Sequence, residues 1–213
     1  MWKPTPTFSA FALDENGGTS HNLGLVATFP KHDAKTIEQA IVRVASSIAR
    51  HHASTPRLLL LGIANGGLVL AARLTGALKK AGLKPAAGTI DISFHRDDIG
   101  RNPIPKEQTP TFIPFDVNGA TVILVDDVLH SGRTVKAALD ELFDHGRPAT
   151  VELAVLVDRG GRLLPVAATY TGLTLVAGDT EKVKVHLDAA NPAKDSLQLQ
   201  SAGQKSKIPN RKS

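Results

Sequence analysis

The chain has 213 residues, 42% hydrophobic and 21% charged, a balance that suits one globular domain with appendages and excludes a chain disordered throughout or embedded in a membrane. It contains no cysteine, which removes disulfides, cysteine-ligated zinc, iron–sulfur clusters and a thiol nucleophile, and its aromatic fraction of 4% counts against modules that stack single-stranded RNA bases. The formal charge of +5 is concentrated beyond residue 189, where Lys194, Lys205, Lys207, Arg211 and Lys212 meet only Asp195, so the basic balance does not by itself make the domain a nucleic-acid binder.

Residues 1–32 read as an irregular extension, broken by Gly17, Gly18, Ser20, His21 and Asn22, with no apolar stretch of the kind a signal peptide or a membrane span requires. A cytoplasmic location is the expectation. Ile37, Ala40, Ile41, Val44, Ala45 and Ile48 recur at helical spacing, and Thr36 with Gln39 suggests a capping box at the helix start. Leu58 to Ile63 has the length and composition of a buried strand. A glycine-rich turn leads into a predicted helix over 68–80, stopped by Gly82. Thr89 to Phe94 alternates like a strand, and a polar, proline-containing stretch then runs from His95 to Pro114. Loops of that length inside a compact domain are usually functional. Ala120 to Val125 is another buried strand, followed by a turn and a helix over 134–144 that Gly146 and Pro148 end. Val151 to Val157 is a third apolar strand, with weaker candidates at 168–171 and 182–187. From Asn191 the chain reads as a basic tail expected to be disordered. The domain proper therefore spans 33–190. Alternating strands and helices imply an α/β fold with a central, mainly parallel sheet flanked by helices, and ligands bind such sheets beyond the carboxyl ends of the strands.

The segment Val122-Ile123-Leu124-Val125-Asp126-Asp127-Val128-Leu129-His130-Ser131-Gly132-Arg133-Thr134 carries the sharpest chemical signal. Two adjacent carboxylates at a strand end repel phosphate but suit hydroxyl groups or a metal. The turn that follows has the opposite character, because backbone N–H groups at a helix N-terminus form an anion site to which Ser131 and Thr134 add hydroxyl donors. A sugar phosphate satisfies both halves. The bland alternative is a strand with an Asx turn and a capped helix. Neither a Walker loop nor a dinucleotide fingerprint is present. The eight histidines show no zinc-ligand spacing.

This segment resembles the phosphoribosyl pyrophosphate (PRPP) signature of type I phosphoribosyltransferases. Together with Thr89 to Asp98, Ile113 to Asp116, Gly146 to Pro148 and Leu153 to Gly160, it is similar to the PyrR family of pyrimidine-operon attenuation regulators that are also uracil phosphoribosyltransferases. The resemblance implies that Asp126 and Asp127 hold the ribose hydroxyls and, through ribose or water, Mg²⁺. It implies that Leu129, His130, Ser131, Gly132, Arg133 and Thr134 cradle the 5′-phosphate, and that the backbone of Asn65, Gly66 and Gly67 meets pyrophosphate. The 95–114 loop would be a flexible lid carrying Arg96 as a catalytic residue, and Val157, Asp158 and Arg159 would sit by the base. The implied ligands are PRPP, uracil and UMP or UTP, and a homo-oligomer is the expected assembly.

The sequence departs from that pattern at two places. Gly66 stands where the family's pyrophosphate loop has Arg, and Ala64 where Lys is frequent, which removes two donors and leaves a weakened enzyme or a nucleotide-sensing regulator as alternatives. On the RNA-binding face Arg43 and Arg162 are kept, while Val42, Ser46 and Gly161 replace polar residues. RNA binding is expected to be weak.

Overall fold

The computed structural model describes residues 33–93, 95, 109–178 and 180–201. Helix α1 (Ala34–His51) buries the six apolar residues of its predicted stripe. Its cap differs from expectation. Asp33 is the N-cap and accepts a hydrogen bond from the Thr36 N–H at 2.9 Å, so Thr36 lies one turn inside the helix. Strand β1 (Leu58–Ile63) is followed by α2 (Gly67–Lys80) and β2 (Ala86–Ile90), and then by β3 (Thr121–Leu129), α3 (Arg133–Asp144), β4 (Thr150–Asp158) and β5 (Tyr170–Thr174). The five strands form one parallel sheet in the order β2-β1-β3-β4-β5.

Successive side chains of a strand point to opposite faces, and both faces here are covered. Leu58, Leu60, Ile123, Val125, Ala154 and Leu156 pack with α1 and α2. Leu59, Leu61, Val122, Leu124, Leu153 and Val155 pack with α3 on the other face. Each fully buried leucine or isoleucine contributes about 1.5–3 kcal/mol of apolar transfer. Because α2 and α3 lie on opposite faces, the chain turns one way after β1 and the other way after β3. A crevice therefore opens at the carboxyl ends of these two neighbours, the switch point where doubly wound sheets bind ligands.

Three expected boundaries move. β2 starts and ends earlier than the alternation at Thr89 to Phe94 suggested, because its partner β1 ends at the Ile63–Ile90 pair; Asp91 then folds into a turn in which its carboxylate accepts the Ser93 N–H at 2.9 Å. β3 continues through the two acids to Leu129, since β4 is long enough to pair with it as far as Asp158. The tail expected from Asn191 begins later. A 3₁₀ turn (Pro192–Lys194) leads into β7 (Ser196–Ser201), which pairs antiparallel with β6 (Glu181–His186). Leu197 is buried, and the buried Asp195 carboxylate binds the Arg73 guanidinium of α2. Among the described residues no helix is long and apolar enough to cross a membrane.

Candidate functional site

The crevice is built from three loops. The β1–β3 pairing ends at Gly62–Val125, so Asp126 and Asp127 lie at and beyond the last residue of β1, with no ladder partner on that side. The 64–67 loop packs against that edge. A Cβ at Gly67 would lie 1.9 Å from the Val125 carbonyl oxygen, and one at Gly66 would lie 2.6 Å from Asp127 Oδ1. The backbone of α2's first turn thus reaches the acids at a distance only glycine permits. Neither α2 nor α3 has a side-chain cap or an acidic residue in its first turn. In α3 the Arg133 N–H reaches Ser131 Oγ at 3.4 Å; the positive ends of both helix dipoles lie at the crevice.

The acids are unusual in electrostatic terms. Asp126 is buried, and Asp127 donates its backbone N–H to Asp126 Oδ1 at 3.0 Å. Burial, and then the neighbouring Asp127 charge, push the Asp126 carboxyl well above the ordinary aspartate range; Asp127 is raised as well, chiefly by burial. Among the described residues no cation contributes to either shift.

The 129–134 turn has its carbonyl side fastened. The Ser131 carbonyl accepts the N–H groups of Leu163 and Leu164, each at 3.0 Å. Arg162 donates to the carbonyls of His130 at 2.8 Å, Leu129 at 3.2 Å and Val166 at 3.0 Å, and to Asp158 Oδ2 at 2.6 Å. With these acceptors engaged and Gly132 at φ +90°, the turn directs its amide side toward the start of α3. Sequence reasoning had no signal for this fastening role of Arg162, because its partners are backbone atoms.

The expected residues do not all converge. Asp126, Asp127, the 129–134 turn and the Asn65–Gly67 loop do, and Asn65 Oδ1 accepts a bond from Thr109 at 3.4 Å. Val157 contributes a core side chain, and Asp158 is held by Arg162 and by the Gly160 N–H. Arg159 adjoins the site only through its backbone, whose N–H donates to Leu129; its buried guanidinium turns away to the carbonyls of Gly178 and Glu181 at 3.0 and 2.8 Å. Arg96 and most of the expected lid lie outside the described residues.

A phosphoribosyl transferase domain profile matches residues 32–189. A protein from Roseiflexus sp. named bifunctional protein PyrR is 42% identical over 167 residues, covering 78% of this chain and 91% of that protein. Its namesake from Listeria welshimeri is 43% identical over 169 residues, with 78% and 92% covered. This chain belongs to the PyrR family of phosphoribosyltransferases. The fold agrees with more distant solved structures. The hypoxanthine phosphoribosyltransferase of Trypanosoma cruzi superposes with a TM-score of 0.59 at 20% identity, covering 79% of this chain and 94% of that one. A hypoxanthine-guanine phosphoribosyltransferase from Bacillus anthracis gives 0.54 at 20% identity, with 72% and 87% covered. The PyrR relatives align with the domain that carries the crevice.

Proposed function

We propose that the protein transfers the ribosyl phosphate of PRPP to uracil, giving UMP and pyrophosphate. The observation that carries this reading is the placement of a buried and a half-buried carboxylate, with no cation shifting either among the described residues, beside the N-termini of α2 and α3 at the switch point of the sheet. Asp126 and Asp127 accept the ribose hydroxyls, the 129–134 turn takes the 5′-phosphate, and the amides of the 64–67 loop face pyrophosphate. Bond breaking at the sugar C1 leaves positive charge on the ribose and negative charge on the leaving group, so donors aimed at the leaving group lower the barrier. Mg²⁺ fits this donor set, since it is a hard cation that favours phosphate and hydroxyl oxygens, and no cation among the described residues shifts either acid. When bound, it supplies positive charge to the leaving pyrophosphate. Base contacts come from the backbone near Val157 to Arg159, and the reaction takes place in the cytoplasm.

A second reading, a PRPP- or nucleotide-sensing regulator with little turnover, is favoured by Gly66, which offers no cation to pyrophosphate. PRPP-dependent UMP formation with uracil, run beside hypoxanthine, guanine and orotate, separates the two. Turnover with uracil supports the first. Binding of PRPP or UMP by calorimetry without turnover supports the second, and absence of both overturns the site.

A further inference from the structure

Away from the crevice, the last turn of α3 gathers a second set of ligating groups. His95 Nε2 lies 3.0 Å from Glu141 Oε2 and 3.5 Å from Asp144 Oδ2. A ring nitrogen carries at most one proton, so it cannot give full hydrogen bonds to two carboxylates at once. Three lone-pair atoms thus converge within 4.8 Å of one another. The edge of a tetrahedron built on metal–ligand bonds of about 2.0–2.2 Å is about 3.3–3.6 Å; the Asp144 separation of 3.5 Å matches it, and the Glu141 separation of 3.0 Å must open by a few tenths of an ångström to admit an ion.

Glu141 is held in place for such a role. Its Oε1 accepts the Thr111 hydroxyl at 2.7 Å and meets His145 Nε2 at 3.2 Å, which leaves Oε2 turned toward His95. Outer-shell partners of this kind fix the orientation of ligating carboxylates in metal sites. The carbonyl end of α3 adds negative potential. The ligands were invisible as a spacing because one of them is separated from the other two by 46 or more positions.

We propose that His95, Glu141 and Asp144 form a divalent transition-metal site, with a fourth position for water. The imidazole selects zinc or cobalt over Mg²⁺, which favours oxygen alone. The site joins His95, and through Thr111 the far end of the same segment, to the helix whose first turn faces the crevice. It is independent of the reaction assigned to that crevice.

The test uses the full chain, stripped with a chelator and titrated with Co²⁺ in excess Mg²⁺, followed by visible absorption and calorimetry. The expected result is one Co²⁺ per chain, displaced by Zn²⁺, retained in the Asp126→Asn/Asp127→Asn double variant and weakened at least about tenfold by His95→Ala. Asp144→Asn should weaken it likewise, and with 71% of that side chain exposed the substitution leaves folding intact. Binding unchanged in both variants, binding lost in the Asp126/Asp127 variant instead, or no binding at millimolar Co²⁺ would overturn the proposal and leave these residues as an ion-paired network only.

Discussion

Burying Asp126 beside a second carboxylate costs the ligand-free protein stability, and the sign of the pH dependence follows. Its folded-state pKa is raised, so its contribution is complete below the ordinary aspartate value of 3.8 and is lost as pH rises through the raised value. Asparagine mimics the protonated acid. Asp126→Asn is therefore expected to raise the thermal midpoint of the ligand-free protein at pH 8, with the gain over wild type shrinking as pH falls toward 4; a constant gain would show that the carboxylate is not desolvated. The same change should weaken PRPP binding, since each hydrogen bond to a charged group contributes about 1.5–3 kcal/mol. Gly66 bears on the same acid. Its φ of −63° admits any residue, but a Cβ would press on the Asp127 carboxylate. Gly66→Ala displaces that carboxylate without adding a cation and should lower UMP synthesis. Gly66→Arg displaces it too but supplies charge to pyrophosphate, and should raise turnover roughly a hundredfold over the alanine variant. Equal rates in steady-state assays would remove the missing cation as an explanation. At 161 the geometry is equally local: a Cβ there would lie 3.0 Å from His130 Nε2, so the imidazole at 130 occupies the space that a larger residue after Asp158-Arg159-Gly160 would need.

At the scale of elements, the 129–134 turn, proposed to hold the 5′-phosphate, depends on the loop after β4. Arg162 binds four backbone carbonyls and one carboxylate, joining residues 129–130 to 158, 160 and 166. Lysine carries the charge but cannot reproduce a planar fork. Arg162→Lys is expected to raise the KM for PRPP at least tenfold and to lower stability by about 2–3 kcal/mol, measured by initial rates and urea unfolding. An unchanged KM with lowered stability would confine Arg162 to folding. The β6–β7 hairpin is a second such case. β7 carries Leu197 into the core that α1 and α2 share, and Asp195 holds Arg73. Deleting residues 194–213 removes strand and ion pair together and should unfold the hairpin, whereas deletion of 202–213 should leave the thermal midpoint within a degree or two.

For the molecule as a whole, the question is where positive charge is free to meet RNA. Arg43 donates to the Gly172 carbonyl at 2.9 Å, and Arg159 and Arg162 are engaged as described. The surplus of basic residues lies at Lys205, Lys207, Arg211 and Lys212, all beyond the last described residue. Attraction of this kind is salt-sensitive and sequence-independent. RNA binding by the full chain is expected to be weak at 50 mM salt and undetectable at 200 mM, and to disappear on deleting residues 202–213. Tight, sequence-selective binding by the truncated protein in filter or mobility assays would contradict this and return Arg43, Arg159 and Arg162 to a direct role.

Periodicity and local chemistry determined much of this protein. The stripe from Ile37 to Ile48 has one way to bury itself, and four apolar leucines in a row at 58–61 need a sheet covered on both faces. The acids followed by Ser131-Gly132 make a sugar phosphate the expected ligand before any contact is known. The tertiary structure decided what depends on partners distant in the chain. β3 runs through Asp126 and Asp127 only because β4 continues beside it, and those acids are raised chiefly because the fold buries them. Ser196 to Ser201 reads as polar tail until Leu197 finds the space beside α1 and α2. Arg159, expected beside the base, instead turns its guanidinium to the carbonyls of Gly178 and Glu181. In each case a residue's solvation and charge partners are set by segments tens of positions away, and a local pattern carries no record of them.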